Sequence, residues 1–363
     1  MEVKIDKGYS WVICFASFWI HAICDGVAMA YGVLMPSVKE RYNCSTVMVA
    51  TIGSLHLAFM YLFSVPFALM TEYFGLRKAT IAGSLLATAS LIVSAYSPIW
   101  QILTVSYGVF AGFGLGVAIF TSELCPNLFF ERRLSVANAI VFSGSSIGYL
   151  AFAPLLSFVL ENYGLKMAFL LEAGLTFTAS IAGCLIISQP KANMHVKENG
   201  STQKVKKDMR KVLTNGRFVT HLTGYGLASL VISNPVLFLP SMLTDEGLTL
   251  QEASLGITII GITNTIGRLL CGLLDLCPKH TIKTLGVAAL GSGLCMVFMV
   301  PFRSLYISYT MCGLFGLLSG PIMSLAHAAK VQLLEKDQLS TAIGIAETNT
   351  GITFLAGSYL KIL

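Results

Sequence analysis

Charged side chains are scarce in this sequence: Lys, Arg, Asp and Glu make up 12% of its 363 residues, whereas apolar types make up 55%. An average soluble domain is about one quarter charged, because a globular surface needs charged and polar side chains that face water. A chain with so little charge cannot cover such a surface, which excludes an ordinary soluble protein. Most of this chain is therefore expected to face lipid.

Metal-ligand and redox spacings are also missing among the nine cysteines, most of which lie within apolar runs. They are interpreted as small apolar packing residues rather than as a disulfide framework. The sequence contains no nucleophile–base set, no metal spacing and no phosphate-binding loop. It therefore predicts neither a metal site nor a bound cofactor, and it disfavours an enzyme.

Apolar segments of about 20 residues recur along the chain, and this is the length that an α-helix needs to cross a hydrocarbon core ~30 Å thick. Period-2 alternation is absent, and the segments are too long for the strands of a membrane barrel. The sequence therefore predicts an all-α multi-pass membrane protein. The eleven predicted spans are 11–35, 47–70, 78–96, 99–125, 134–160, 166–188, 218–243, 252–274, 284–301, 304–329 and 339–361.

Lys and Arg are distributed unevenly around these spans. With the N-terminus in the cytoplasm, 18 of the 24 Lys and Arg residues, Lys330 among them, fall on the cytoplasmic side and 5 fall outside, while Arg268 lies within span eight. Cytoplasmic loops of membrane proteins carry the surplus of Lys and Arg, so the count predicts this orientation. The long hydrophilic segment 189–217 is then a basic cytoplasmic loop.

The stretch FFERRLSVANAIVFSGSSIG, residues 129–148, places a charge cluster directly before an apolar run. In the predicted orientation the cluster is a cytoplasmic anchor in front of span five. Gly144 and Gly148 mark a helix face that a neighbouring backbone can approach, because small residues drive helix association in lipid. Span four repeats this pattern from Gly108 onward. Its GFGLG at 112–116 is therefore interpreted as helix packing rather than as a nucleotide-binding loop.

The same stretch resembles the fifth-helix signature of the monocarboxylate transporter family, part of the major facilitator superfamily. DKGYSW at 6–11 resembles the first-helix signature of that family, although Lys7 and Ser10 depart from its usual glycines. TEYFGLRK at 71–78 resembles the loop that joins helices two and three throughout the superfamily. The signature residues of the family that this sequence carries are Asp6, Gly8, Tyr9, Trp11, Arg132, Arg133, Asn138, Gly144, Ser145 and Gly148.

The resemblance implies a major facilitator fold with two six-helix halves. It divides the chain into an N-terminal half at 1–188, the basic loop at 189–217 and a C-terminal half of five helices at 218–363. Because members of the family have twelve helices, the twelfth is expected to be missing here, as in a fragment or a truncated gene product. A truncated carrier without function is therefore one alternative.

The function that the resemblance implies is secondary-active or facilitative transport of monocarboxylates, or of related small organic anions and zwitterions, by alternating access in the plasma membrane. The implied partners are a small-molecule carboxylate, the lipid bilayer and a single-pass accessory glycoprotein, without nucleic acid or cofactor apart from a coupled proton or other ion. A channel-like or receptor-like protein is the second class, because a polar-lined bundle alone does not establish alternating access. A membrane enzyme is the third.

Charges within the spans are the first candidates for function, because a charge at mid-membrane costs about 2.5–3.5 kcal/mol even on the lower scale. In span eight, Asn264 and Arg268 are one turn apart and share a helix face. An always-charged guanidinium fork suits a substrate carboxylate. The resemblance implies this role, because the family has an arginine at this position. The alternative is that Arg268, near the cytoplasmic end of its span, snorkels or braces a gate.

Proton coupling is the second question within the spans. Proton-linked members of the family have an aspartate one turn before that arginine and a lysine in the first helix, and the corresponding positions here hold Asn264 and Met29. An amide cannot titrate, so the chain resembles a divergent member rather than a lactate–proton symporter. His21 and Asp25, at i and i+4 in span one, form either a proton site or a structural pair. Glu347 in span eleven is a further candidate for proton binding or gating.

Two more polar residues near the ends of spans carry weaker signals. Glu123, close to Pro126, is interpreted as an interfacial or gate residue, and His327 is interpreted as structural.

Overall fold

The structure is a computed structural model that describes residues 5–187, 209–229, 250–273, 281–299, 305–334 and 338–360. Every regular element within these ranges is a helix. The predicted all-α fold class is confirmed.

The helices are labelled in chain order, and a short helical stretch at 209–214 precedes α7. Their bounds are α1 Tyr9–Tyr42, α2 Thr46–Leu62, α3 Ser64–Phe74, α4 Leu76–Ala95, α5 Trp100–Phe129, α6 Leu134–Leu185, α7 216–229 as far as the described residues reach, α8 Leu250–Leu273, α9 Thr281–Met299, α10 Leu305–Leu333 and α11 Leu339–Leu360. Within α5, the stretch Thr104–Ala111 is π-helical.

Six helices of the described chain are long and apolar enough to cross a membrane. The pair α2 and α3, bent by 50° around Phe63, makes a seventh candidate if it is one span. Spans five and six of the prediction both lie in α6, which is broken at Gly164 by a left-handed φ of 78°.

Part of the predicted organisation lies outside the described residues. Span seven is described only as far as residue 229, and the basic loop 189–217 only from residue 209. The division into halves and the missing twelfth helix therefore stay predictions.

Small residues bring helix backbones into direct contact, as predicted. A Cβ added at Gly144 or Gly148 would overlap the backbone carbonyls of Phe18 and Ala22, so α6 lies directly against α1. In α5, Gly112 meets the backbone of His56 in the same way. Gly108, Gly112 and Gly116 therefore pack against α2, while Gly114 packs against Gly83 and Ala87 of α4, and the interpretation of GFGLG as a packing motif is confirmed.

Helices that precede the basic loop also contact helices that follow it. Gly351 of α11 lies against the backbone of Leu62, and Gly344 lies against that of Ser64, so α11 crosses the break between α2 and α3. On the other side of the bundle, α6 packs against α8. The buried polar side chains of the candidate site lie on these helices and their neighbours.

Candidate functional site

The two signature blocks meet at one end of the bundle, although they are more than 100 residues apart in the sequence. Both carboxylate oxygens of Asp6 accept hydrogen bonds from the backbone N–H groups of Glu131, Arg132 and Arg133, at 3.0–3.2 Å. The Asp6 N–H in turn donates to the carbonyl of Phe129 at 3.1 Å. Asp6 thus caps the turn that leads into α6, whose backbone donors have no helical acceptor.

Two aromatic side chains of the first block strengthen this contact. The Trp11 ring meets the Phe130 ring edge to face, with centroids 4.9 Å apart. The Tyr9 hydroxyl donates to the carbonyl of Leu185 at 2.9 Å, and so ties the start of α1 to the end of α6.

The cap also changes the acidity of Asp6, which lies outside the membrane-spanning helices. Partial loss of solvent raises the pKa of its carboxyl, but the backbone donors of Arg132, Arg133 and Glu131, together with the charge of Arg133, outweigh that effect. The pKa of Asp6 therefore lies below its ordinary value, because these donors favour the ionised form.

The packing of α1 on α6 places Asp25 beside Ser145, and both side chains are buried. Asp25 Oδ1 accepts a hydrogen bond from the Tyr61 hydroxyl at 2.9 Å, and Oδ2 accepts one from the Ser145 hydroxyl at 2.5 Å. His21 Nδ1 lies 3.8 Å from Oδ2 of Asp25 and 3.4 Å from the Ser145 oxygen. The structure therefore brings the predicted pair His21 and Asp25 together with a signature serine.

Arg268 completes this group from α8. Its guanidinium is buried, and one terminal nitrogen donates to the carbonyl of Phe142 on α6. Its Nε, also buried, has no hydrogen-bond partner among the described residues. The Phe142 ring lies edge to face against the His21 ring, with centroids 5.1 Å apart, and so links Arg268 to this group. We call His21, Asp25, Tyr61, Ser145 and Arg268 the Arg268 cluster.

Asn264, one turn before Arg268, is held from two sides. Its amide oxygen accepts from the Ser146 hydroxyl at 2.7 Å, and its amide nitrogen donates to the Ser319 hydroxyl at 3.1 Å. It thus joins α6 to α10. Met29, at the position of the family's first-helix lysine, contributes no ionisable group.

Glu347 does not join the Arg268 cluster but forms a second group. Its Oε1 lies 3.0 Å from Lys330 Nζ and 3.5 Å from His327 Nε2. Glu123 of α5 lies beside them, since one ligand atom each from Glu123, His327 and Glu347 lies within 4.8 Å of the others. We call Glu123, His327, Lys330 and Glu347 the Glu347 cluster.

The position of Lys330 corrects the sequence analysis, which counted it among the cytoplasmic loop charges. It lies within α10, its side chain is fully buried, and its ammonium group lies 4.9 Å from the centre of the Tyr225 ring. A lysine three residues before the end of a helix is normally in water. Here the carboxylate of Glu347 stabilises the buried ammonium group of Lys330.

Other residues of the two clusters were not predicted as site residues from the sequence, or were only weak candidates. Tyr61 gave no signal of its own, because a tyrosine in an apolar run is common. Phe142 lies within the signature, but its sequence does not show that its ring stands between His21 and His327, with centroids 5.1 and 4.5 Å away. Asn138, a signature residue, is buried beside α1, and both atoms of its amide lack a partner in the described chain.

The described helices form a bundle that buries two clusters of charged side chains, and six of these helices are long and apolar enough to cross a membrane. The family model of the Major Facilitator Superfamily matches residues 15–358. The chain belongs to the Major Facilitator Superfamily, whose members are transporters and not enzymes.

Sequence relatives indicate that the chain is a divergent member of the monocarboxylate transporter family, as the signatures predicted. Monocarboxylate transporter 3 of Rattus norvegicus is 25% identical over 358 residues, which is 97% of this chain and 73% of that protein. Monocarboxylate transporter 2 of the same species is 23% identical, over 94% of this chain and 74% of that protein. Monocarboxylate transporter 14 of Homo sapiens is 26% identical over 50% of this chain and 36% of that protein.

A solved structure supports the fold. The crystal structure of a D-xylose–proton symporter superposes with a TM-score of 0.69 at 15% sequence identity, and the match covers 97% of this chain and 89% of that one. At this identity the likeness concerns the fold alone. The predicted major facilitator fold is confirmed.

Proposed function

We propose that this transporter carries monocarboxylates, or related small organic anions and zwitterions, across the plasma membrane by alternating access, with its N-terminus in the cytoplasm. In this proposal Arg268 holds the carboxylate of the substrate. Kinship with the monocarboxylate transporters supports the substrate class and also favours a single-pass glycoprotein as an accessory partner.

The observation that carries the proposal is the buried Nε of Arg268, which has no acceptor among the described residues. An unsatisfied donor on a buried charged group costs more than about 1–3 kcal/mol, so an arginine is kept in this state where a ligand satisfies it. A carboxylate would accept from Nε and a terminal nitrogen together, the two-bond geometry that a lysine cannot offer.

The place of Arg268 supports the same role. It lies on α8 and contacts α6, that is, on the seam between helices before and after the basic loop. A substrate bound here would contact both predicted halves, as alternating access requires. Its hydrogen bond to the Phe142 carbonyl also fits the alternative of a gate brace.

Asn264 remains a proposed substrate contact of lesser weight. Both ends of its amide already have partners on α6 and α10, so its first role is to hold these helices. A substrate would reach it only if Ser146 or Ser319 moved away.

Substitution of Arg268 tests the proposal. Arg268→Lys keeps the charge but loses the planar fork, so affinity should fall while some transport remains. Arg268→Gln should lower affinity roughly ten- to a hundred-fold, because a charged hydrogen bond contributes about 1.5–3 kcal/mol. Uptake of radiolabelled pyruvate, lactate and phenylalanine in low-background cells measures the effect, and surface biotinylation confirms delivery.

Arg41→Gln is the control, because Arg41 is an exposed cation at the end of α1 opposite to Asp6. It should transport like the wild type. Near wild-type uptake by Arg268→Gln would make Arg268 a structural or gating charge and would place the carboxylate elsewhere.

A further inference from the structure

The Glu347 cluster buries two carboxyl groups beside one ammonium group. Lys330 pairs with Glu347, and within the part of the chain that the structure describes Glu123 has no ion pair of its own. Glu123 is 4% exposed, and its buried Oε2 has no hydrogen-bond partner among the described residues. With both carboxyl groups ionised and His327 neutral, the cluster would bury a net charge of about −1, which is unfavourable in a low-dielectric interior.

One proton removes this imbalance, and two groups are placed to hold it. Glu123 would take it on the free Oε2. His327 would take it on Nδ1, which is buried and also without a partner in the described chain. From this geometry we propose that Glu123 and His327 share one exchangeable proton, and that the Glu347 cluster is the proton-coupling site of the transporter. This inference rests on the proposed function, because coupling requires transport.

The distribution of the cluster over the helices explains how the proton would couple to movement. Glu123 belongs to α5, before the basic loop, while His327, Lys330 and Glu347 belong to α10 and α11, after it. Rocking of the two predicted halves would therefore separate Glu123 from the positive charge of Lys330. Separation and re-formation of the cluster change the proton affinity of Glu123, as the removal of any nearby charge does.

The cluster lies near one end of the bundle. Glu123 and Lys330 lie in the last turns of α5 and α10, and Glu347 lies in the third turn of α11. In the predicted orientation this is the cytoplasmic end. Opening at that end would admit water to Glu123, and water would stabilise the ionised carboxylate in place of Lys330. The proton would then leave to that water as the substrate anion leaves Arg268. One proton and one anion then cross together without net charge.

The neighbourhood of the cluster adds a further carboxyl group, because Asp25 is buried near Glu123. The titratable and charged groups of the described chain that face the cluster are Cys24, His21 and Asp25 from α1, Tyr61 from α2, and His221 and Tyr225 from α7.

A metal ion fits the cluster less well than a proton. Glu123, His327 and Glu347 could offer three ligand atoms, but Lys330 already lies 3.0 Å from the Glu347 oxygen. A divalent cation at this place would face an ammonium group at close range. A proton needs only the free oxygen of Glu123.

Infrared difference spectroscopy on the full chain in nanodiscs, titrated with pH and without substrate, tests the proton site directly. The wild type should show a carboxyl C=O band that disappears as pH rises, and Glu123→Gln should remove this band. Glu172→Gln is the matched control: Glu172 is equally buried, and its two oxygens lack partners in the described chain. The band should persist in Glu172→Gln, and a Glu123→Gln spectrum that keeps every carboxyl band of the wild-type titration overturns the proposal.

A transport arm separates the proton site from the proposed function. In proteoliposomes, an inward proton gradient should drive accumulation of pyruvate by the wild type. Glu123→Gln, which cannot release a proton, should lose this accumulation but keep pyruvate exchange. Proton-driven accumulation that persists in Glu123→Gln contradicts coupling at this site. If the wild type carries no carboxylate while its infrared band behaves as expected, the proposed function fails and the proton site stands.

Discussion

Asp6 is one side chain that holds together two segments far apart in the sequence. Its backbone has a φ of 62°, a conformation that few residues other than glycine adopt, and this turns the carboxylate toward the start of α6. The sequence shows both signature blocks and predicts a helix after each. It does not show that they touch, because contacts between segments so far apart depend on the packing of α1 against α6.

Removing the carboxylate of Asp6 should destabilise the protein by about 1 kcal/mol, as the loss of a helix cap usually does. Asp6→Gly removes the acceptor and tolerates the positive φ, while Asp6→Asn keeps one oxygen and loses the charge. We expect Asp6→Gly to lower the thermal unfolding midpoint of the detergent-solubilised protein more than Asp6→Asn does. Lys7→Ala, at the next exposed position, should change little. An unchanged midpoint in Asp6→Gly would contradict the cap.

The difference between wild type and Asp6→Asn should also depend on pH. Because the folded pKa of Asp6 is lowered, the ionised carboxyl contributes stability above its unfolded pKa of about 3.9. That contribution is lost as pH falls through the folded pKa. The two proteins should therefore differ constantly near neutral pH and converge in acid.

Lys330 shows the limit of charge counting at the same scale. The sequence places it near a helix end, where most lysines reach water, and Glu347 follows 17 residues later on the next helix. Nothing in the spacing reveals that α10 and α11 turn these two side chains toward each other. In contrast, Arg268 was predicted as a candidate because a charge within a span is rare and because the family resemblance implies an arginine at this position.

At the scale of helices, the sequence predicts where helices occur and how long they are better than it predicts how they bend. The spans follow from apolar length, and the glycine positions that pack α6 against α1 follow from residue size. The bend between α2 and α3 and the π-helical stretch in α5 leave no comparable trace in the sequence. In that stretch, the carbonyl of Tyr107 accepts a hydrogen bond from His56 Nδ1 at 2.9 Å. This contact depends on the neighbouring helix.

Gly148→Ala should disrupt the contact between α1 and α6. Its new Cβ would overlap the backbone of Ala22, and backbone cannot rotate away as a side chain can. Overpacking of this kind costs about 1–3 kcal/mol. We expect a lower thermal midpoint and reduced surface expression.

Gly174→Ala is the matched control for that substitution. It lies in the same helix, and a Cβ there would meet no atom within 4 Å. It should leave stability unchanged or raise it slightly, because alanine favours a helix over glycine. Equal stability of the two variants would contradict close packing at Gly148.

At the scale of the whole molecule, each of the two clusters joins helices from both predicted halves. The Arg268 cluster joins α1, α2 and α6 to α8, and the Glu347 cluster joins α5 to α10 and α11. Phe142 stands between the two clusters. In the proposed mechanism, substrate and proton would bind at separate seams between the two predicted halves, so that one movement would release both.

Trans-stimulated uptake tests most directly the central claim, which is carboxylate transport by alternating access. The full chain would be reconstituted in proteoliposomes that contain or lack unlabelled pyruvate, lactate or phenylalanine, and uptake of the same labelled compound would be followed. Alternating access predicts saturable uptake that is faster when the compound is also inside, because a loaded carrier returns more readily than an empty one. Uptake that does not saturate and ignores the internal compound, for all three compounds, would contradict the account and indicate a channel-like or non-transporting protein.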